Sequence, residues 1–87
     1  MKFQLGQTVT TPAALNAIPN DEMLAALGRH TRGDWGDCDE EDWTENNLSL
    51  KRRLRLFSVY HTVSGTKFWI ITEADRSATT ILLPEDY

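Results

Sequence analysis

Chemistry in this chain would have to come from two histidines, one cysteine and several clustered charges. Cys38 as a nucleophile needs an imidazole base within reach, and His30 supplies one only if the glycine-containing stretch between them folds back; a semi-buried thiol is the simpler reading. A metal site built from His30 with Asp34 or Asp37 lacks recognised ligand spacing, because the other histidine is the distant His61. The run Asp37-Cys38-Asp39-Glu40-Glu41-Asp42 begins like a calcium loop. It fails at its sixth position, Asp42 where glycine is needed, and at its twelfth, Leu48 where a bidentate acid is needed. Glu73, Asp75, Arg76 and Ser77 gather two carboxylates, a guanidinium and a hydroxyl in one short segment. That set suits an active-site or anion-binding loop, and it equally suits a turn in which Asp75 and Ser77 bond nearby backbone.

The charges are segregated. Asp34, Asp37, Asp39, Glu40, Glu41, Asp42 and Glu45 form an acidic patch with no base among them, and Lys51, Arg53 and Arg55 follow. The acids favour the positive end of a helix dipole; as a more specific function they would mimic nucleic-acid phosphates toward a restriction enzyme. Lys51, Arg53 and Arg55 are expected on one face of a strand, where they either touch phosphate or keep an edge strand from pairing. The net charge of −4 disfavours general nucleic-acid binding. No Gly-rich phosphate loop, nucleophile elbow or paired catalytic carboxylate motif is present, so neither enzymatic activity nor a cofactor is expected. A small hydrolase or metal enzyme on His30, Asp34 and the Glu73–Ser77 loop is the remaining catalytic alternative.

At 87 residues, with 40% hydrophobic and 25% charged, the chain has material for one domain spanning 1–87. No apolar run approaches the length of a membrane span, and Met1-Lys2 leads into a mixed polar segment rather than a secretory signal. A lone Cys38 makes no internal disulfide, which fits a cytoplasmic address.

The elements that must position these groups change character near residue 50. Thr11-Pro12 predicts a capped short helix through Ala17, halted by Pro19. Asn20-Asp21-Glu22 predicts a second helix with Met23, Leu24 and Leu27 as its apolar stripe and Gly28 at its end. Turn residues from Thr31 to Cys38 surround Trp35, and Asp39 to about Leu48 reads as a third helix. Beyond that, Arg53–Val63, Lys67–Glu73 and Ala78–Leu83 predict three strands. Ser64-Gly65 as a two-residue turn sets Val59 opposite Ile70 and Tyr60 opposite Trp69. The expected fold is therefore α+β, with short N-terminal helices packed on a three-stranded antiparallel sheet. That register puts Phe57, Val59, His61, Phe68 and Ile70 on one face and Leu54, Leu56, Tyr60, Trp69 and Ile71 on the other.

Both faces are apolar, whereas three short helices roof only one. The second is closed either by Phe3–Val9 folded back with Tyr87, or by a protein partner or a homodimer mate. In the latter case Tyr60, Trp69, Leu56 and Ile71 form the interaction surface, with the two aromatics as anchors.

The stretch Phe68–Ser77, continuing through Thr79-Thr80-Ile81-Leu82-Leu83-Pro84 to Tyr87, resembles a family of small uncharacterised bacterial proteins carried on plasmids and integrated mobile elements. Gln7-Thr8-Val9 with Thr11-Pro12-Ala13, and Gly33-Asp34-Trp35-Gly36, resemble it too. The resemblance implies an accessory protein of a mobile element and brings no activity, cofactor or catalytic residue with it. The expected role is noncatalytic protein–protein interaction. The alternative is a nucleic-acid-related protein, either an acidic DNA mimic or a weak binder through the basic 51–55 segment. No metal and no membrane is expected to take part.

Overall fold

The computed structural model describes residues 1–87. In chain order the elements are β1 (Gln7–Thr10), α1 (Pro12–Ala17), α2 (Asn20–Thr31), α3 (Glu40–Arg52), β2 (Leu56–His61), β3 (Lys67–Thr72), β4 (Ala78–Leu82) and a final 3-10 turn, Pro84–Asp86. The class is α+β as expected. The sheet has four strands in the order β1-β4-β3-β2; β1 runs parallel to β4 and the other pairs are antiparallel. The additional strand is the N-terminal one.

Local signals set the helix starts. Thr11 Oγ1 accepts from the Ala14 amide at 3.2 Å, and Pro12 occupies the first turn, where no amide proton is needed. Asp39 caps α3 by accepting from the Asp42 amide at 2.8 Å. Helix ends differ from expectation. Gly28 lies inside α2, which continues to Thr31, and Gly33 at φ 80° takes up the left-handed conformation beyond it. The third helix runs on to Arg52 and ends with Arg53 left-handed at φ 57°, the Leu54 amide donating back to the Ser49 carbonyl at 2.9 Å. The predicted basic strand is thereby corrected: Lys51 is helical, Arg53 is the helix end, and Arg55 precedes β2.

The β2–β3 hairpin turns through three residues, not two. Thr62 donates to the Thr66 carbonyl and the Gly65 amide to the Thr62 carbonyl, both at 2.9 Å, with Gly65 at φ 97°. Tyr60 therefore pairs with Phe68 and Val59 with Trp69. A slip of one residue on one strand moves its whole side-chain set to the other face. The covered face carries Leu56, Ser58, Tyr60, Phe68, Ile70, Thr72, Thr79 and Ile81, all buried. Ala14 of α1, Ile18 just after it, and Met23 and Ala26 of α2 pack with Tyr60, Phe68, Ile70, Ile81 and Leu83 to form the main core. Full burial of each large side chain there contributes about 1.5–3 kcal/mol.

The opposite face carries Val9, Phe57, Val59, Trp69, Ile71, Thr80 and Leu82 in register, and no helix crosses it. Phe3, expected as part of a cover for this side, instead packs on the helical side against His30 and Trp35, with ring centroids at 5.1 and 6.3 Å.

The two edges of the sheet are unlike. Along β2, the Asn46 amide imitates a neighbouring strand: its Oδ1 accepts from the Phe57 amide at 2.9 Å and its Nδ2 donates to the Phe57 carbonyl at 2.7 Å. Trp35–Asp37 continue this covering, the Val59 amide donating to the Trp35 carbonyl and the Asp37 amide to the Val59 carbonyl. Along β1, the parallel ladder turns the amides of Gln7 and Thr11 inward to β4. By alternation, the backbone groups of Thr8 and Thr10 face outward.

Candidate functional site

The most chemistry-like constellation is a chain of hydroxyls through His30. Its Nδ1 meets Ser58 Oγ, its Nε2 meets Thr72 Oγ1 at 2.8 Å, Thr72 meets Thr79 Oγ1 at 2.8 Å, and Thr79 donates to the Leu5 carbonyl at 2.7 Å. The carbonyl at the end fixes every proton. Thr79 must accept from Thr72, Thr72 from His30 Nε2–H, and His30 Nδ1 from Ser58. Burial drives the imidazole pKa down to about 3, with the Arg76 charge adding to the effect, so the ring is neutral at physiological pH. His30, Ser58, Thr72 and Thr79 are all fully buried, with no surface on which a substrate could meet them. The set is a satisfied polar core rather than a catalytic triad.

The other candidates are held in structural work. Arg29 grips Asp34 through Nε at 2.8 Å and Nη2 at 3.2 Å, lowering the carboxyl pKa, and Asp34 also accepts from the Gly36 amide. Asp37 bonds His61 Nδ1 at 2.7 Å. Asp39 is the α3 cap, and Glu40, Glu41 and Asp42 form the first helical turn, followed by Glu45 one turn on; all are exposed. Cys38 donates to the Trp35 carbonyl at 3.3 Å, and burial pushes its thiol pKa up, away from nucleophilic use at neutral pH. His30 bonds Ser58 and Thr72 and makes no hydrogen bond to Cys38. No group of three or more His, Cys, Asp and Glu is arranged to hold a metal ion.

In the Glu73–Ser77 turn, Asp75 accepts from the Ser77 amide at 3.0 Å and its carboxyl pKa is lowered by Ser77. Glu73 approaches Arg55 at 3.8 Å. Arg76, left-handed at φ 62°, folds inward and is 9% exposed. His30, Asp34 and this turn do not converge into one pocket: none of the cavities joins them.

Of the four residues proposed as an interaction surface, Leu56 and Tyr60 are 0% and 1% exposed on the helix-covered face, where the one-residue shift of the hairpin puts them. The Tyr60 hydroxyl donates to the Asp34 carbonyl at 2.7 Å. Trp69 and Ile71 do lie on the uncovered face. Phe57 and Tyr87 pack on Trp69 with centroids at 4.8 and 5.7 Å, and Arg55 holds Tyr87 by a 2.9 Å bond to its hydroxyl. Ile71 is 2% exposed, sheltered by its neighbours, whereas Val9 is 41% exposed. The Trp69 indole Nε1 is sealed from solvent and has no acceptor, the only buried side-chain polar atom in that condition. Sequence reading missed Asn46 and the Thr72–Thr79 pair. Poor helix formers inside α3 and hydroxyls among buried strand positions were the signals available.

No family model matches the chain, and no curated protein or solved structure does either.

Proposed function

We propose that the protein is a noncatalytic interaction module whose helix-free sheet face docks a protein partner. The observation that carries this reading is the apolar strip of Val9, Phe57, Val59 and Trp69 with no helix across it. A large, half-buried aromatic on a sheet face is the kind of group that anchors interfaces. The partner would present an apolar surface. An accessory role on a plasmid or integrated element agrees with the resemblance in Phe68–Tyr87.

Tagged wild type, Trp69→Ala and Val63→Ala chains, each checked for cooperative unfolding, are used to capture partners from the native host. Val63, 94% exposed in the hairpin loop, is the neutral control. Trp69→Ala is expected to lose a protein that wild type and Val63→Ala both retain. Equal recovery by all three would remove the docking face from consideration.

A further inference from the structure

Three basic residues from separate segments line one cavity: Lys2 ahead of β1, its side chain running past Gly33, Arg53 at the left-handed end of α3, and Arg76 in the β3–β4 turn. The cavity encloses about 220 Å³, and Phe3, Gln4 and Leu50 complete its lining. No acid lines it. None of the three cations has a carboxylate within 4.0 Å, although Arg29 and Arg55 each do.

Arg76 is the decisive member. Its Nη1 donates to the carbonyls of Leu54 at 2.7 Å, Glu73 at 3.1 Å and Ala74 at 3.3 Å, while Nη2 has only the Ser49 carbonyl at 3.5 Å and Nε has no acceptor. The carbonyls satisfy one end of the guanidinium. The Nε–Nη2 edge, which holds Asp34 bidentately in Arg29, is left almost unused in Arg76. That edge has the spacing of two oxygens on a carboxylate or phosphate. Burial, and then the Arg53 charge, pull the Arg76 pKa down, as expected of a cation lacking a counter-charge.

Backbone geometry points the same way. Arg53 and Arg76 are the only non-glycine residues with positive φ, at 57° and 62°, a conformation costing a non-glycine residue on the order of 1 kcal/mol or more. Both residues that carry this strain line the cavity. Its 220 Å³ holds roughly seven waters' worth of liquid, enough for one phosphoryl group and its remaining hydration.

We propose that Lys2, Arg53 and Arg76 form a binding site for a phosphoryl group, the Arg76 Nε–Nη2 edge gripping two of its oxygens while Lys2 and Arg53 neutralise its charge. This site is separate from the docking face and does not depend on it. Free phosphate and the phosphate of a nucleotide share this chemistry, so both are titrated.

The test is calorimetric titration of the full chain with inorganic phosphate and, separately, adenosine monophosphate at constant ionic strength, with the Arg side-chain Nε resonances followed by NMR. Saturable binding at one site is expected with a Kd of about 1 mM or tighter, together with a shift of one buried arginine Nε. Lys2→Gln and Arg53→Gln are each expected to weaken binding about tenfold, the size of one charge-assisted contact. Lys51→Gln, on the same helix but outside the cavity lining, is expected to leave it unchanged. Tighter binding of the nucleotide would identify a nucleotide as the source, and equal affinities would identify the phosphoryl group alone. A wild-type response no larger than that to chloride, or equal losses in Lys51→Gln and Arg53→Gln, would overturn the site. Because Lys2 and Arg53 are exposed, their variants keep the test decisive even where an Arg76 variant fails to fold.

Discussion

His30 shows how a residue with catalytic credentials is neutralised by its surroundings. Its ring is committed on both nitrogens, and its hydroxyl relay ends on the Leu5 carbonyl, tying the N-terminal segment to the sheet. His30→Ala would leave a cavity and strand two hydroxyls, an expected loss of about 3 kcal/mol in urea unfolding. The pH dependence follows from the depressed pKa. The unfolded chain takes up a proton near pH 6.5, whereas the folded chain resists until about 3, so stability is full above 6.5 and falls as pH is lowered through that interval. The slope approaches ~1.4 kcal/mol per pH unit. Between pH 6.5 and the carboxylate range, urea midpoints should fall for wild type and stay nearly flat for His30→Gln. Identical profiles would contradict the buried neutral ring.

At the scale of elements, the β2 edge is sealed by one side chain and one short segment. Asn46→Ala removes both bonds to the Phe57 backbone, and is expected to cost about 2 kcal/mol in thermal or urea unfolding. Gly36 has a harder constraint: an added Cβ would lie 2.0 Å from the Val59 carbonyl oxygen at a backbone φ of 77°. Gly36→Ala should therefore lower stability by more than about 2 kcal/mol, or prevent folding outright; a variant as stable as wild type would argue against the Trp35–Asp37 pairing.

Helix starts were legible because caps act within one turn of chain, as at Thr11 and Asp39. The hairpin register was not, because the same Ser64-Gly65 pair fits two turn lengths and only Gly65's left-handed φ, after Val63 and Ser64, decides between them. Strand β1 was hidden because four residues with weak alternation carry little signal and its partner β4 lies at the other end of the chain. The same distance explains the site. Arg53 and Arg76 stood out singly, and nothing local brings Lys2 to them. Trp69 and Ile71 were correctly set together on one face because they are two apart on one strand. Leu56 and Tyr60 depended on a register across the hairpin.

For the whole molecule, the asymmetry of the sheet matters more than its net charge. One margin is closed by Asn46 and Trp35–Asp37, and the other, Gln7–Thr10, carries no charged residue to repel a neighbour. If two copies meet margin to margin about a twofold axis, Thr8 of each faces Thr10 of the other and the two Val9 side chains meet at the axis. Growth then terminates. Pairing by this route uses up the one open margin of each copy, so it yields pairs and no filament, and sedimentation at rising concentration should reveal nothing heavier than a dimer. Asn46→Ala would bare only the Phe57 backbone, because Trp35–Asp37 still cover Val59, so that variant too should stop at two.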